Sequence, residues 1–239
     1  MLPALYHAHH NLHPEDLPFW LELARQQGDP ILELGCGTGR VLGPLLEAGY
    51  DVQGLDNNPA MLLFLHRHRL EAKVFQADMG LFRLSKRFAL ILMPCNTYST
   101  LPAETRQATL ERIAEHLSPG GLFAASLPNP FSLLDLHAHG EPVIEEIFQH
   151  PETGNPVQAS SSWKRSKRSF SLSWHYDHLL PDGTVERSSL IIQHHLLKAE
   201  DYSKEIQVAG LQVKAVYGDF DQSDYDQESP NLILMIGKN

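Results

Sequence analysis

The chain has 239 residues, of which 42% are hydrophobic and 20% are charged, and these values favour one large globular domain. No run approaches the ~18 consecutive apolar residues of a membrane span, and the net charge of −10 disfavours a nucleic-acid-binding surface. Cys36 and Cys95 are too few for a disulfide framework and lack metal-ligand spacing. Because the first residues show no signal-peptide pattern, we expect a cytoplasmic protein without membrane, nucleic-acid or metal partners.

The N-terminal segment, residues 1–29, combines a histidine-rich start with one helical pattern. Apolar residues recur at helical spacing over 17–24, which predicts a helix that ends near Gly28. No carboxylate or cysteine follows the histidines at a familiar ligand spacing, so a metal site is disfavoured. We predict instead that Tyr6 and its neighbours fold over a cofactor, with residues 1–29 acting as a helical lid.

A glycine-rich turn follows a short apolar run between residues 31 and 40. The order of an apolar stretch, three glycines and a renewed apolar pattern is typical of a buried strand, a tight turn and a helix start. Glycine permits backbone torsions and close approaches that a Cβ atom would block, and a helix start offers unpaired N–H groups. This turn is therefore predicted to bind a small anionic or polar group of a cofactor.

Strands and helices alternate from this turn to residue 127. Asn58 and Pro59 mark a clear helix start, whereas Pro44 in the preceding helix predicts a kink or a late start. The helix over 103–116 is predicted to end before the breaker sequence Ser-Pro-Gly-Gly at 118–121. Further strands are predicted over 51–56, 72–76, 88–93 and 122–127. This alternation predicts a parallel sheet with helices on both faces.

The pattern changes over residues 141–197, which lack helical periodicity and are rich in β-branched and aromatic residues. Antiparallel strands are predicted over 141–150, 157–166, 168–179 and 184–197, with a turn at 181–183. A helix over 198–209 and an antiparallel strand pair over 211–217 and 231–237 close the chain. We therefore expect one α/β domain, 1–239, with a cofactor-binding core at 30–127, an inserted β subdomain at 141–197 and a closing segment at 198–239.

Two acidic residues follow predicted strands at the edge that carries the glycine turn. Ligands of open α/β sheets bind at the carboxyl ends of the strands, where Asp56 and Asp78 fall. A carboxylate at Asp56 can accept hydrogen bonds from both hydroxyls of a ribose and repels a 2′-phosphate. A dinucleotide-binding turn needs the pattern G-x-G-x-x-G, but Arg40 occupies the position of its third glycine.

The G-x-G-x-G turn, preceded by Glu33, resembles motif I of the class I methyltransferases that use S-adenosylmethionine. The resemblance covers most of residues 30–127 and extends through the segments Gly54-Leu55-Asp56, Met61, Ala77-Asp78, 94–98 and 118–121. It implies S-adenosylmethionine as the cofactor and a Rossmann-like fold, with a mostly parallel seven-stranded sheet and an inserted antiparallel β subdomain.

The resemblance also implies roles for individual residues. The glycine turn matches the site of the methionine portion, Asp56 the residue that holds the ribose, and Asp78 the contact to the adenine amino group. Alternatives stay open: Asp78 caps a turn, Met61 is helix core, and Glu33 orders the turn through backbone N–H groups. The candidate cofactor-binding residues are Tyr6, Glu33, Gly35, Cys36, Gly37, Gly39, Asp56, Asn57, Met61, Asp78, Met79 and Pro94.

The insertion with its following helix and strand pair resembles the small-molecule N-methyltransferases of that family, which act on amino sugars or glycine. It implies that 141–197 cover the acceptor pocket and that the acceptor is a small molecule, with an amine nitrogen as the favoured methylation site. Weak candidates for a general base are Tyr98, His175, His194 and His195. Strand alternation places His194 and His195 on opposite faces, so at most one of them faces a pocket.

Two other classes of protein stay open at this point. An NAD-dependent oxidoreductase shares the fold but is disfavoured by Arg40, and a non-catalytic adenosylmethionine-binding protein shares the cofactor site. The sequence leaves open a monomer or a homodimer.

Overall fold

A computed structural model describes residues 2–238 and divides them into two compact units. The larger unit comprises residues 15–132 and 197–238, and the smaller comprises residues 2–14 and 133–196. The boundary between residues 14 and 15 divides the N-terminal segment 1–29 between the units. The lid role of that segment and the acceptor-covering role of 141–197 stay predictions. Within residues 2–238, no helix has both the length and the apolar character needed to cross a membrane.

The helices and strands are numbered in chain order. The helices are α1 (Leu2–His10), α2 (Leu17–Gln27), α3 (Leu42–Glu47), α4 (Pro59–His68), α5 (Thr97–Thr100), α6 (Ala103–His116), α7 (Pro130–Asp135) and α8 (Ala199–Val208). The strands are β1 (Ile31–Leu34), β2 (Val52–Asp56), β3 (Lys73–Gln76), β4 (Phe88–Met93), β5 (Leu117–Pro128), β6 (His139–Gln149), β7 (Pro156–Arg165), β8 (Ser169–Leu179), β9 (Val185–His195), β10 (Leu211–Tyr217) and β11 (Asn231–Lys238).

The larger unit contains a seven-stranded sheet in the order β10-β11-β5-β4-β1-β2-β3. Strands β1 to β5 pair in parallel, and β11 runs antiparallel to both β5 and β10. This arrangement confirms the mostly parallel seven-stranded sheet and the closing antiparallel pair.

Two hydrophobic cores of the larger unit use alternate residues of the central strands. Leu32 and Leu34 join the core that includes α6 and α8, whereas Ile31 joins the core that includes α2, α3 and α4. Because successive side chains of a strand point to opposite faces, the two cores lie on opposite sides of the sheet. The four residues of β1 are all buried, as expected for a strand that is covered on both faces.

Local sequence signals placed most of these elements correctly. Asn58 caps α4 by accepting hydrogen bonds from the backbone N–H groups of Ala60 and Met61, and Pro59 is the first helical residue. Helix α3 begins at Leu42, so Pro44 lies in its first turn, where a backbone N–H has no partner within the helix. This is the late start that Pro44 predicted.

The fifth strand differs from the prediction, because β5 begins at Leu117 and runs through the Ser-Pro-Gly-Gly sequence. The pairing of β5 with β4 steps from Phe88–Leu117 to Leu90–Leu122, so residues 118–121 form a bulge in the strand. Gly120, with φ of 75°, supplies the left-handed torsion of this bulge. Helices α1, α5 and α7 were not predicted, since two of them have at most six residues and carry little periodic signal.

The smaller unit contains a four-stranded antiparallel sheet in the order β6-β7-β8-β9. All four predicted strands are present, with ends shifted by a few residues. Leu5 of α1 packs with Val157, Ala159 and Tyr176 of the sheet to form a small core. Gly183 makes the predicted turn between β8 and β9 with a φ of 84°.

Candidate functional site

The candidate site lies at the carboxyl ends of the parallel strands in the larger unit. Glu33 of β1 pairs with Gly54 of β2 on one side and with Leu92 of β4 on the other. The chain segments that leave these three strands therefore emerge side by side. They are the glycine turn after β1, the end of β2 at Asp56 and residues 94–98 after β4.

The glycine turn forms a concave backbone surface. Gly35 and Gly37 have φ values of 72° and 51°, in the left-handed region that favours glycine. A Cβ atom on Gly35 would stand 2.7 Å from Cγ2 of Thr97, so the segment after β4 packs directly against the turn. A Cβ atom on Gly37 would enter open space, with Oδ2 of Asp56 at 4.0 Å. A side chain at Gly37 would therefore fill the cradle that faces Asp56.

Asp56 closes one side of this cradle. Its Oδ2 accepts a hydrogen bond of 2.9 Å from the backbone N–H of Gly37, and its Oδ1 accepts one of 2.8 Å from the N–H of Asn58. An ionised carboxylate has about four lone-pair sites, so acceptor capacity is left on both oxygens. The cradle and this carboxylate fit a ligand with a compact polar end and a ribose, and S-adenosylmethionine has both.

Glu33 is buried beneath the turn, with 2% of its surface exposed. Burial raises the pKa of its carboxyl to about 8, and the positive charge of Arg40 and a hydrogen bond from the Leu42 backbone act in the opposite direction. Its Oε2 has no hydrogen-bond partner among residues 2–238. The backbone N–H of Leu42, at the start of α3, follows the glycine turn, so the role of Glu33 in ordering the turn itself stays a prediction.

Arg40 makes a partly buried network that the sequence did not predict. Its two terminal nitrogens donate to the two carboxylate oxygens of Asp16 at 2.7 and 2.5 Å, and Nη2 also lies 3.1 Å from Sγ of Cys95. Trp20 Nε1 donates to Asp16 at 2.8 Å. The network joins the start of α2, the glycine turn and the segment after β4. Sequence spacing carried no signal for it, because Asp16 and Arg40 are 24 residues apart.

The candidates for the adenosine side differ in exposure. Asp78 is exposed, and its Oδ1 accepts a hydrogen bond of 2.7 Å from the N–H of Gly80, which is the turn cap of the alternative interpretation. Met79 is buried in the hydrophobic core, whereas Met61 is half-buried and Asn57 is exposed. Asn57 and Met61 are thus accessible to a ligand, whereas Met79 anchors the segment after β3 in the hydrophobic core.

The remaining cofactor candidates have mainly packing contacts. Cys36 is buried, and a Cβ atom on Gly54 would stand 2.7 Å from its Sγ, so it packs against β2. A Cβ atom on Gly39 would stand 2.5 Å from Cδ1 of Leu65, so Gly39 packs against α4. Pro94 is buried just after the end of β4. Tyr6 lies in α1 of the smaller unit, where its ring stacks on His10 with centroids 3.8 Å apart.

Tyr98 is completely buried in the core, and its hydroxyl has no hydrogen-bond partner among the described residues. Burial raises the pKa of this hydroxyl well above its ordinary value, and the charge of Glu205 adds to the effect. Its ring lies near Phe123 and Tyr202. A buried phenol with a raised pKa is a poor general base at neutral pH, so the structure counts against this role for Tyr98.

The three histidine candidates lie in the smaller unit. His194 is buried and His195 is half-buried, in agreement with the predicted opposite faces of β9. Burial lowers the pKa of His194 to about 4, so its ring is neutral at physiological pH. His175 Nδ1 lies 2.7 Å from the hydroxyl of Ser189 on the neighbouring strand. Across the described part of the chain, no three side chains of metal-ligating type come together.

Known proteins resemble this chain in sequence and in fold. Residues 31–121 match a family model described as a methyltransferase domain. The dTDP-3-amino-3,6-dideoxy-alpha-D-glucopyranose N,N-dimethyltransferase of Streptomyces fradiae is 25% identical over 79% of this chain and 72% of its own length. The dTDP-3-amino-3,4,6-trideoxy-alpha-D-glucopyranose N,N-dimethyltransferase of Streptomyces venezuelae is also 25% identical, over 80% of this chain and 79% of its own.

A solved structure shows the same fold. The crystal structure of an S-adenosylmethionine-dependent methyltransferase from Clostridium acetobutylicum superposes with a TM-score of 0.81 at 13% identity, covering 94% of this chain and 92% of that one. The domain match over residues 31–121 and the methyltransferase relatives show S-adenosylmethionine-dependent methyltransferase activity, and the solved structure shows the fold. They confirm the expected enzyme class and cofactor, and they give no support to the oxidoreductase alternative.

Proposed function

We propose that the protein transfers a methyl group from S-adenosylmethionine to the amine nitrogen of a small, sugar-like acceptor. The observation that carries this proposal is the extent of the likeness to two amino-sugar N,N-dimethyltransferases. Each alignment covers about four fifths of the chain, at 79% and 80%, whereas the methyltransferase-domain match is limited to residues 31–121. The likeness therefore includes part of the chain outside the cofactor-binding core.

In this proposal the larger unit binds the cofactor through its strand ends. The concave turn at Gly37 holds the methionine portion, the free acceptor capacity of Asp56 receives the ribose hydroxyls, and Asp78 contacts the adenine amino group. Glu33, which accepts from the Leu42 backbone, and Arg40, which binds the side chains of Asp16 and Cys95, support the turn and are not assigned a contact with the cofactor. Bound S-adenosylmethionine supplies an electrophilic methyl group.

An amine acceptor suits the side chains near the strand ends. An unprotonated amine carries its own lone pair, so the protein must orient it, exclude water and stabilise the charge that forms. A hydroxyl acceptor gains more from a general base. Tyr98, the candidate base that follows β4, is buried and poorly suited to that role. The chemistry is therefore consistent with an amine.

The first experiment measures cofactor binding by isothermal titration calorimetry. We expect S-adenosylmethionine and S-adenosylhomocysteine to bind and NAD to give no signal. NAD binding without a response to the two sulfur compounds would contradict the cofactor assignment.

The second experiment uses S-adenosylmethionine with a labelled methyl group and four acceptor classes. They are nucleotide-linked amino sugars, free amino sugars, peptides with a free N-terminus, and hydroxyl analogues of the same sugars. We expect label on the amino sugars and none on the matched hydroxyl compounds. Labelling of the hydroxyl analogues alone would refute the amine acceptor, and labelling of peptides alone would refute the sugar class.

A further inference from the structure

Two consecutive residues after β4 have an unusual backbone conformation. Cys95 and Asn96 have φ values of 56° and 62°, and Gln222, at 66°, is the one other non-glycine residue of the described chain with a positive φ. Residues with a Cβ atom seldom adopt this region, although asparagine tolerates it better than most. Such conformations persist where the surrounding structure fixes them, and they are enriched at active sites and ligand-binding sites.

The structure holds Asn96 between two contacts with the glycine turn. On one side, Sγ of Cys95 lies 3.1 Å from Nη2 of Arg40. On the other side, Thr97 packs against Gly35 so closely that a Cβ atom there would stand 2.7 Å from its Cγ2. Asn96 therefore lies beside the turn where the methionine portion of the cofactor is proposed to bind.

The side chain of Asn96 is not used by the fold. Its backbone carbonyl accepts hydrogen bonds from the hydroxyl and the backbone N–H of Ser99, at 2.7 and 3.2 Å, which anchor the main chain. The side chain does not cap α5, and within residues 2–238 its amide makes no hydrogen bond. The residue is half-buried. The anchored backbone thus places a carboxamide, with two donors and an acceptor oxygen, beside the glycine turn.

We propose that Asn96 binds the acceptor amine, with its carboxamide oxygen accepting a hydrogen bond from the amine N–H. This inference rests on the proposed amine acceptor and deepens it by naming the residue that orients the nitrogen. A hydrogen bond to one N–H leaves the lone pair of the nitrogen free to point elsewhere. Among the nearby polar groups, Asp56 is assigned to the ribose and the Arg40 guanidinium has no acceptor atom, whereas the Asn96 amide is available.

The chemistry of the step explains why a neutral amide suits this position. The lone pair of the acceptor nitrogen forms the new bond to the methyl carbon, while the carbon–sulfur bond breaks and its electron pair stays on sulfur. The positive charge moves to nitrogen, which then releases a proton to water. The amide oxygen, the negative end of a dipole, stabilises that charge as it forms. A carboxylate here would favour the protonated amine, which has no lone pair.

The test compares three variants of the full-length protein with the amino-sugar acceptor that the wild type methylates. Asn96→Gly removes the amide and keeps a residue that accepts a positive φ. Gln222→Gly is the matched control, because it makes the same backbone change at an exposed left-handed position outside the glycine turn. Asn96→Asp keeps the shape of the side chain and adds a negative charge.

For Asn96→Gly we expect S-adenosylmethionine affinity to match the wild type and kcat/KM to fall about tenfold or more. Calorimetry with S-adenosylhomocysteine present should show weaker acceptor binding, which is a readout independent of turnover. Gln222→Gly should match the wild type in all three measurements. For Asn96→Asp, the acidic limb of the pH profile of kcat should move to higher pH, because the carboxylate raises the pKa of the bound amine and kcat reports groups in the enzyme–substrate complex.

Wild-type kcat/KM and acceptor affinity in Asn96→Gly would overturn the inference. An equal loss of S-adenosylmethionine affinity would also overturn it, because Asn96 would then act only by shaping the turn. An unshifted pH profile in Asn96→Asp would place the carboxamide away from the amine. If the wild type binds S-adenosylmethionine but methylates none of the amines, the proposed function fails and the inference fails with it.

Discussion

The strand-end edge of the larger unit and the sheet of the smaller unit hold ion pairs of the same type in different surroundings. At the first, the side chains of Arg40 and Asp16 are only 12% and 9% exposed. At the second, Arg187 reaches across from β9 to Asp177 of β8 with the same two-point contact, but its side chain is 59% exposed. The side chain of Asp177 is only 12% exposed, but its partner faces water, so water screens the second pair more than the first.

This difference shows where charge is structurally important in the protein. At the strand-end edge, burial shifts the pKa of Glu33 and makes each charged partner necessary to the other. On the small sheet, a charged pair contributes little to the free energy of unfolding, and the pairing of the strands stabilises the structure. Substitutions at the edge should therefore have large effects that depend on pH and partner, and comparable substitutions on the sheet should have small ones.

The largest expected effect concerns the pH dependence of stability through Glu33. Its pKa in the folded protein is about 8, against 4.5 without the protein environment. Because the folded state holds this proton more tightly, the stabilisation is complete below pH 4.5 and is lost as pH rises to about 8. The shift corresponds to roughly 5 kcal/mol.

Urea unfolding of the wild type and of Glu33→Gln at several pH values checks this prediction. Glutamine keeps an oxygen for the N–H of Leu42 and cannot ionise, so the difference between the two proteins isolates Glu33. Relative to the variant, the wild type should lose free energy of unfolding between pH 4.5 and 8. Parallel curves would show that Glu33 does not titrate in this range.

The second prediction breaks the buried pair at the edge. Asp16→Ala leaves the guanidinium of Arg40 buried without its carboxylate, and we expect a loss of about 3 kcal/mol in the free energy of unfolding. Adding Arg40→Met to this variant should restore most of the loss, because no buried charge is then left unpaired. A double variant that is less stable than Asp16→Ala would argue that the pair itself is strongly stabilising.

The third prediction concerns cofactor binding. Asp56→Ala should weaken S-adenosylmethionine binding by about 2 kcal/mol, or roughly thirtyfold, because the carboxylate acceptors for the ribose are lost. Calorimetry measures the affinity, and circular dichroism checks that the variant is folded. Asp51→Ala is the control. Asp51 immediately precedes the amino end of β2, whereas Asp56 lies at its carboxyl end, and Asp51 pairs with Lys73 and Lys86. Equal effects of both substitutions would remove Asp56 from the site.

The smallest effect is expected on the sheet of the smaller unit. Arg187→Ala breaks its pair with Asp177, and because Arg187 is largely exposed we expect a loss of about 1 kcal/mol or less. Chemical denaturation in low and high salt measures it, and the loss should shrink further in high salt. A loss as large as that of Asp16→Ala would remove the contrast between the two regions.

The sequence by itself determined the order of strands β1 to β11 and of helices α2, α3, α4, α6 and α8, and it located the glycine turn after β1. These features depend on local patterns: apolar periodicity for the strands and helices, Asn58 and Pro59 for the start of α4, and three glycines for the turn after β1. Asp56 was also predictable, because the end of an apolar run marks the end of a strand. Each of these signals lies within a few residues of the element that it specifies.

The tertiary structure alone decided how the polar groups at the strand ends are used. The burial of Tyr98, the raised pKa of Glu33 and the pairing of Arg40 with Asp16 all depend on residues distant in sequence. The left-handed backbone of Asn96 is fixed by the packing of its neighbours against the glycine turn. Local propensity cannot encode such contacts, because they form only when separate strands are brought side by side in the sheet.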